Sequence, residues 1–214
     1  MTDLKIDKSD KIYVAGHNGM VGSALVRGLQ KRGYSNLLMR TRKELDLLDQ
    51  DSVFSFLQKE KPRYIFLAAA KVGGINANNT FRGQFIYENL AIETNIIHGA
   101  HLAGIKELNF LGSSCIYPRD CPQPMKEEYL LTGPLEPTNE PYAISKIAGI
   151  KMCESYNRQY STQYVSSMPT NLYGPNDNYD LNTSHVLPAL ICKAHKAKVS
   201  GDKQLIVWGS GKPM

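Results

Sequence analysis

The chain has 214 residues, of which 42% are hydrophobic and 21% charged, with 17 glycines and 11 prolines. This balance excludes collagen-like, low-complexity and wholly disordered proteins, and the length suits one large α/β domain, or one domain and part of a second. The net charge of +5 comes from 25 basic and 20 acidic residues that are spread along the chain, which argues against a dedicated nucleic-acid-binding tract.

Several features bear on the compartment. No apolar run approaches the roughly 20 residues that a membrane-spanning helix needs, and the start of the chain is polar, without an apolar signal region. The four cysteines are scattered and form no C-x-x-C pair; they are Cys115, Cys121, Cys153 and Cys192. Reduced thiols are the expectation for such a pattern. The sequence therefore predicts a soluble, cytoplasmic protein.

Short apolar runs alternate with helical patterns along the chain. A strand at 11–16, a helix ending near residue 33 and a second strand near 37–42 predict a βαβ unit. The following elements are a helix at 53–60 capped by Asp49 or Asp51, a strand at 64–70, a helix from about Gly83 to Gly104, a strand at 108–114, a Pro-rich loop from Pro118 to Pro141, a helix from Tyr142 to about Tyr160 and a strand at 163–168. Strands that alternate with helices predict an α/β fold with a doubly wound parallel sheet of Rossmann type.

The composition changes after Pro169, where a turn-rich segment is followed by a predicted helix at about 186–198 and a short strand at 205–208. We therefore predict a nucleotide-binding Rossmann domain at residues 1–170. Residues 171–214 are predicted to begin a smaller substrate-binding region.

Three glycines lie where the first predicted strand passes into the first helix. Gly16, Gly19 and Gly22 have the spacing G-x-x-G-x-x-G. Glycine there permits a tight turn, a close approach of the backbone to a pyrophosphate and close packing of the helix on the sheet. The backbone N–H groups at the start of the helix, which include those of Met20 and Val21, can bind an anion. The pattern predicts a dinucleotide site.

The segment about 20 residues beyond these glycines decides between the two nicotinamide dinucleotides, because an NAD site places an acidic residue there. This chain has Arg40, Thr41, Arg42 and Lys43 instead. Guanidinium groups bind a 2′-phosphate through paired hydrogen bonds. The segment therefore favours NADP(H) over NAD(H).

Tyr142 and Lys146 are four residues apart and share one face of a predicted helix. A neighbouring cation stabilises a phenolate, so we expect Lys146 to lower the pKa of Tyr142 toward neutrality. Ser113 and Ser114 end a predicted parallel strand, where open α/β sheets bind ligands. A Ser/Tyr/Lys set on such a sheet predicts oxidation or reduction at an alcohol or carbonyl.

The glycine pattern joins three further motifs: GSSCIYP at 112–118, YAISK at 142–146 and PTNLYGP at 169–175. Together they resemble the extended short-chain dehydrogenase/reductase superfamily. Longer segments, LAAAKVGGI at 67–75, LEPTNEPYAISKIAGIKMCESYNRQY at 135–160 and SHVLPAL at 184–190, resemble the GDP-L-fucose synthase family within it. The resemblance runs from about Lys11 to the end of the chain.

The resemblance implies NADPH-dependent epimerisation of GDP-4-dehydro-6-deoxy-D-mannose at C3 and C5, followed by reduction of its C4 ketone. Cys115 and His185 match the acid/base pair of the family, although on their own they would be a small buried side chain and a loop residue. Tyr142 would protonate the C4 oxygen, with Ser113 hydrogen-bonded to it. Lys146 would hold the nicotinamide ribose.

The binding residues follow from the same motifs. Those implied for NADP(H) are Gly16, Gly19, Met20, Val21, Gly22, Arg42, Leu111, Gly112, Ser113, Ser114, Lys146, Pro169, Thr170, Asn171, Leu172 and His185. Those implied for the GDP-sugar are Asn171, Lys193 and Trp208. The resemblance also implies a homodimer with a four-helix interface, and neither it nor the residues indicate a metal, nucleic acid or membrane.

Two departures from the family pattern stand out. Asn18 occupies a position of the glycine turn where some relatives carry an arginine for the 2′-phosphate. The final WGSGKPM stops inside a motif that family members continue, so we expect an incomplete, C-terminally truncated substrate region.

Two alternatives stay open: another nucleotide-sugar epimerase or 4-ketoreductase, and an inactive NADP-binding fragment. A dehydratase is disfavoured because Cys115 and Ile116 stand where that chemistry usually has acidic residues. His98 and His101 could share a helical face, but we expect a surface or helix-packing role and not metal binding, because no carboxylate or cysteine is spaced to complete a zinc site.

Overall fold

The computed structural model describes residues 6–207. Its five strands form one sheet in the order β2-β1-β3-β4-β5, and every pairing is parallel. The strands are β1 (Ile12–Ala15), β2 (Leu37–Leu38), β3 (Tyr64–Leu67), β4 (Glu107–Leu111) and β5 (Gln163–Ser167). Parallel neighbours require crossover connections, which the helices provide.

The helices are α1 (Met20–Lys31), α2 (Gln50–Glu60), α3 (Ile75–Thr80), α4 (Arg82–Leu102), α5 (Glu140–Tyr160) and α6 (Val186–Ser200). Asp49, one of the two predicted caps, begins α2, and its carboxylate accepts the Ser52 N–H at 3.3 Å. The six-residue α3 was not predicted, because its polar sequence INANNT lacks a helical apolar pattern.

Helices cover both faces of the sheet, which confirms the predicted Rossmann-type doubly wound fold. On one face, α2, α4 and α5 bury Leu57, Ile96 and Ile147 against strand residues that include Phe110. On the other face, α1 packs over a smaller cluster that contains Ile12, Val14 and Tyr64. Burial of each such side chain contributes about 1.5–3 kcal/mol to folding.

The contact between α4 and α5 includes the two histidines singled out from the sequence. The Nδ1 atom of His98 lies 2.8 Å from the Tyr156 hydroxyl, and the His101 ring stacks on Tyr160 with centroids 4.0 Å apart. Both histidines therefore pack between helices, as expected.

Residues 6–207 contain neither a cluster of metal-binding side chains nor a helix suited to cross a membrane. No three His, Cys, Asp or Glu side chains in this range are grouped so that they could hold a metal ion. None of the helices in the same range has the length and apolar character needed to cross a bilayer.

The direction of the strand order reverses between β1 and β3, which is where doubly wound sheets open a ligand crevice. The Ala68 N–H, just beyond β3, donates to the Ala15 carbonyl at 3.0 Å, so the chain leaves both strands side by side. The ends of β4 and β5 lie at the same edge of the sheet, because all four strands are parallel. The segments that follow these strands therefore meet at one edge.

The prediction of a strand at 205–208 is wrong for the part that the structure describes. Residues 205–207 have no strand conformation, and the Ile206 side chain is 77% exposed. The Ile206 carbonyl accepts a hydrogen bond from Lys193 Nζ at 3.0 Å. An apolar run becomes a strand only by pairing with a neighbour, and within residues 6–207 no strand pairs with it. Trp208 lies outside the described residues.

We predict that Gly99→Ala lowers the free energy of unfolding by about 1–3 kcal/mol, because added atoms strain a packed core. A Cβ at Gly99 would lie 2.9 Å from Phe54 Cδ1 and 3.0 Å from Leu57 Cδ1. Gly83→Ala, on the same helix, is the matched control, since a Cβ there meets nothing within 4 Å. It should be neutral or stabilise by up to about 1 kcal/mol. Urea unfolding of the two variants measures the difference, and equal stabilities would contradict the prediction.

Candidate functional site

The turn from β1 into α1 excludes side chains at two of its three glycines. Gly16 has φ +85°, and a Cβ there would lie 2.7 Å from the Ala69 backbone nitrogen. A Cβ at Gly22 would lie 2.1 Å from the Gly16 carbonyl oxygen, so α1 can start where it does only with glycine at this position. Gly19 has room for a Cβ, at 3.5 Å from the same oxygen. Its N–H donates to the Gly16 carbonyl at 3.0 Å and closes the turn.

The first turn of α1 presents backbone donors without a competing anion. Gly19 is the N-cap residue and provides no side-chain cap, and the first turn contains no acidic residue. The N–H groups at a helix start lack intrahelical acceptors and carry the positive end of the helix dipole. With the glycine turn, this end of α1 fits a pyrophosphate.

The two arginines after β2 have different environments. Arg40 lies against the Phe56 ring at 5.5 Å and within 3.6 Å of the Glu60 carboxylate, so its guanidinium is committed to packing. The Arg42 side chain is 70% exposed and forms a long, 3.7 Å ion pair with Asp46. Arg42 is therefore the residue of this pair that can turn to an added phosphate. The sequence segment alone could not separate the two.

A second cluster lies at the start of α5, against the turn that follows β4. Ser113 caps this 3-10 turn, and its Oγ atom accepts the Cys115 N–H at 3.4 Å. Burial raises the pKa of both the Cys115 thiol and the Tyr142 phenol, while hydrogen bonding to Ser113 lowers each of them by less. Ser113, Cys115 and Tyr142 therefore form one group in which thiol and phenol both hold their protons at neutral pH.

Lys146 lies one helical turn beyond Tyr142 and is almost fully buried. Its Nζ atom is 4.7 Å from the Phe110 ring centroid, 5.7 Å from the Tyr142 ring centroid and 2.8 Å from Glu93 Oε1 on α4. The side chains of Lys146 and Glu93 are 3% and 2% exposed. Burial raises the pKa of Glu93 to about 7, although the charge of Lys146 opposes this shift.

The expectation that Lys146 brings the pKa of Tyr142 toward neutrality is wrong in this structure, since the pKa of Tyr142 is raised. Burial is the main cause, and negative charge on Cys115 or Glu93, where either is ionised, raises it further. The Glu93 carboxylate lies against the Lys146 ammonium and offsets its charge. Sequence reasoning missed Glu93, yet a signal existed: it shares a buried stripe of α4 with Asn89 and Ile96.

The segments after β4 and β5 meet through their backbones. The Gly112 N–H donates to the Ser167 carbonyl at 2.8 Å, and the Ser114 N–H donates to the Pro169 carbonyl at 3.3 Å. A Cβ at Gly112 would lie 2.6 Å from Met168 Sδ, so a larger residue there would displace the Met168 side chain. The structure thereby places the predicted cofactor residues 111–114 beside residues 169–172.

The exposed side chains of Thr170, Asn171 and Leu172 stand at the edge of these segments. A groove beside Ser114 is lined by Tyr117, Met168 and Thr170, among other residues. It offers space for a ligand next to the Ser113 group.

His185 and Lys193 belong to α6 and its start. The Thr183 carbonyl accepts the Gly74 N–H at 2.8 Å, which holds the preceding turn against the segment that follows β3. His185 is the exposed N-cap residue of α6. In the part of the chain that the structure describes, no hydrogen bond joins His185 to Cys115. The structure therefore groups Ser113, Cys115, Tyr142 and Lys146, but does not bring His185 into hydrogen-bond contact with them.

The glycine turn, which fits a pyrophosphate, and the doubly wound parallel sheet define an α/β protein of Rossmann type, and the Ser/Tyr/Lys group lies at the same sheet edge. The chain belongs to the NAD dependent epimerase/dehydratase family, whose sequence profile matches residues 12–214.

Individual relatives narrow the comparison. GDP-L-fucose synthase 1 from Arabidopsis thaliana is 59% identical over 208 residues, which cover 97% of this chain and 64% of the relative. GDP-L-fucose synthase from Escherichia coli (strain K12) is 58% identical over 204 residues, covering 95% of this chain and 64% of the relative. The chain thus spans just under two thirds of the length of these curated relatives. A GDP-mannoheptose C4 reductase from Campylobacter jejuni, solved with NADP bound, is 46% identical with a TM-score of 0.85, covering 92% of this chain and 62% of that one.

We predict that the Cys115 thiol titrates above the usual cysteine value of about 8.5, because its burial disfavours the thiolate. The pH dependence of its alkylation by iodoacetamide, followed by peptide mass spectrometry on the folded protein, gives this pKa. Ser113→Ala should raise the pKa further by removing a hydrogen bond that lowers it. Cys121→Ser is the control and should leave it unchanged. A Cys115 pKa at or below the usual value would show that burial does not control this thiol.

Proposed function

We propose that the chain carries out NADPH-dependent 3,5-epimerisation and 4-keto reduction of GDP-4-dehydro-6-deoxy-D-mannose to GDP-L-fucose. The observation that carries the proposal is its identity of 59% and 58% to two GDP-L-fucose synthases along the segment that builds the site. Within that segment, Ser113, Cys115, Tyr142 and Lys146 lie at one edge of the sheet. Fold likeness alone would not support a reaction, whereas this set of side chains does.

The cofactor proposal rests on the glycine turn and the exposed Arg42. The Gly16 and Gly22 backbone and the start of α1 would hold the pyrophosphate, and Arg42 the 2′-phosphate. The remaining contacts are proposed for Gly19, Met20, Val21, Leu111, Gly112, Ser113, Ser114, Lys146, Pro169, Thr170, Asn171, Leu172 and His185. NADPH, when bound, supplies the hydride that reduces the C4 carbonyl.

For the reduction, Tyr142 is the proton donor in this proposal. Its raised pKa keeps the phenol protonated at neutral pH, so the proton is available for the C4 oxygen as that oxygen gains charge. The Ser113 hydroxyl donates a hydrogen bond to the same oxygen and the Lys146 ammonium holds a ribose hydroxyl. The C4 ketone becomes an alcohol, and Tyr142 recovers its proton from solvent.

For the epimerisation, Cys115 and His185 are the proposed acid/base pair. A C4 ketone acidifies the C–H bonds at C3 and C5, because the negative charge left by proton removal is delocalised onto the carbonyl oxygen. One member of the pair removes each proton and the other returns one to the opposite face, so the composition of the sugar is unchanged.

The remaining assignments concern the wider molecule. Asn171, Lys193 and Trp208 are proposed to contact the GDP-sugar, residues 1–170 to form the cofactor domain, and residues 171–214 to begin the substrate region. Among the described residues of α6, Pro188 alone is buried. This exposure of the helix supports the division. We also propose a cytoplasmic homodimer that pairs α4 and α5 with their copies in a four-helix interface.

A second candidate is C4 reduction of a GDP-linked heptose without epimerisation. The 46% identity and TM-score of 0.85 to a GDP-mannoheptose C4 reductase favour it. This reaction needs the Ser113, Tyr142 and Lys146 group but gives Cys115 no proton to move. The two candidates therefore differ in their demand for Cys115.

We expect NADPH oxidation with GDP-4-dehydro-6-deoxy-D-mannose, followed by absorbance, and a fucose-configured product by NMR. Tyr142→Phe should slow oxidation at least about 100-fold, because it removes the proton donor. Cys115→Ser should continue to reduce C4 but give a product that is not epimerised. Full epimerisation by Cys115→Ser would remove Cys115 from the pair. Absence of NADPH oxidation by the wild-type chain would overturn the proposed activity.

We also expect Gly22→Ala to weaken NADPH binding at least about tenfold, or about 1.4 kcal/mol, because the Gly16 carbonyl must shift away from the new methyl group. Gly28→Ala, in the same helix, is the matched control, since its Cβ would meet only Arg32 Nη1, at 3.5 Å. NADPH fluorescence titrations give both dissociation constants. Equal affinities in the two variants would contradict the assignment of the glycine turn.

A further inference from the structure

Glu93 and Lys146 form an ion pair inside the contact between α4 and α5. The Lys146 ammonium lies 2.8 Å from Glu93 Oε1, and neither side chain is more than 3% exposed. A buried ion pair often stabilises a fold no better than apolar side chains of the same size, because both charges lose their hydration. Its presence at this position therefore calls for an explanation other than stability.

The backbone of α5 makes room for the carboxylate. A Cβ at Gly149 would lie 3.0 Å from Glu93 Oε2 and 2.4 Å from Phe110 Cζ, so a larger residue there would displace Phe110 and press on the carboxylate. Within residues 6–207, neither carboxylate oxygen of Glu93 has a hydrogen-bond partner, and Oε1 has only the ion pair with Lys146. The buried carboxylate is thus poorly solvated, which raises the free energy of its charged form relative to its protonated form.

The Glu93–Lys146 ion pair lies close to Tyr142, which belongs to the group formed with Ser113 and Cys115. Lys146 Nζ is 5.7 Å from the centre of the Tyr142 ring, and the Glu93 charge raises the pKa of the Tyr142 phenol. The two charges therefore act on Tyr142 in opposite directions. Lys146 favours the phenolate, and ionised Glu93 disfavours it.

We propose that Glu93 is a positioning residue for the reduction: its carboxylate fixes the Lys146 ammonium beside Tyr142 and offsets its charge, and protonation of Glu93 lets that charge act on the phenol. This inference rests on the proposed function and deepens it, because it makes the proton donor responsive to a residue on a different helix.

In the described part of the chain, the titratable groups that interact with Glu93 are few. On α5 they are Lys146, Tyr142 and Cys153, and the latter two have pKa values that the Glu93 charge raises. Cys115, beyond β4, responds to Lys146. Both thiols and the phenol are neutral near pH 7, so Lys146 is the charged neighbour of Glu93. Burial raises the pKa of Glu93 to about 7, so its protonation falls in the physiological range.

The test compares Glu93→Gln with Glu107→Gln. Glu107 is a second buried carboxylate in an ion pair, 2.6 Å from Arg63, but it begins β4 at the opposite edge of the sheet. Both variants lose a buried carboxylate, so a purely structural effect appears in both. Glu93→Asp tests rescue by a shorter carboxylate.

Two readouts are measured across about pH 6 to 8, the range in which Glu93 changes charge. The first is the ¹⁵Nζ NMR signal of Lys146 in lysine-labelled protein, assigned by its loss in Lys146→Met. The second is the rate of NADPH oxidation with the GDP-sugar. In the wild type and Glu107→Gln, the signal should shift near pH 7 and the rate should fall about tenfold as Glu93 ionises. In Glu93→Gln both pH dependences should vanish, and Glu93→Asp should restore part of each.

The proposal would be overturned if the Lys146 NMR signal in Glu93→Gln kept the pH dependence of the wild type. It would also be overturned if that variant kept the wild-type pH–rate profile. Equal changes in Glu93→Gln and Glu107→Gln would also overturn it by revealing a purely structural effect. Failure of the wild type to oxidise NADPH would instead overturn the proposed function, and the NMR titration would then decide by itself whether Glu93 controls Lys146.

Discussion

Parallel pairing of β1, β3, β4 and β5 is the constraint on which the candidate site depends. Strands that run in one direction end at one edge, so segments far apart in sequence meet there. The turn after β1 provides backbone donors, the segment after β4 provides Ser113 and Cys115, and that after β5 lies against it through the Ser114 to Pro169 hydrogen bond. Tyr142 and Lys146 lie on α5, and the packing of α5 against α4 sets how deeply their side chains are buried.

Much of this arrangement could be predicted because it depends on local patterns. The glycine spacing reports a backbone geometry that side chains would block, as the clash distances at Gly16 and Gly22 show. The apolar runs that became β1, β3 and β4 are mostly buried between helices, whereas β5 is an edge strand in which Val165 is 45% exposed. The run at 205–207 has the same local character but no neighbouring strand within the described residues, so the same reasoning fails there.

What the sequence could not provide was the pairing of side chains across elements. The sequence does not show which of Arg40 and Arg42 is available for a phosphate. The contacts of Arg40 with Phe56 and Glu60 on α2 show that its guanidinium is already engaged. The error about Tyr142 has the same origin, because Tyr142 and Lys146 were considered as an isolated pair on one helix. The carboxylate that offsets the lysine comes from α4, at a sequence separation that no helical pattern can report.

These contacts also show which residues both candidate reactions require and which residue epimerisation alone requires. Proton delivery to a C4 oxygen requires Tyr142 and the charges that surround it, and those charges are set by the α4–α5 contact deep in the fold. Epimerisation adds a demand on Cys115, which lies in the 3-10 turn just after β4. Because Cys115 belongs to neither α4 nor α5, a substitution of its side chain can alter the reaction while the helices that position Tyr142 stay in place. On this argument, the choice between epimerising and simply reducing a GDP-sugar lies in the residues around the turn, while the charge of the buried Glu93 acts on Tyr142, the proton donor that both reactions share.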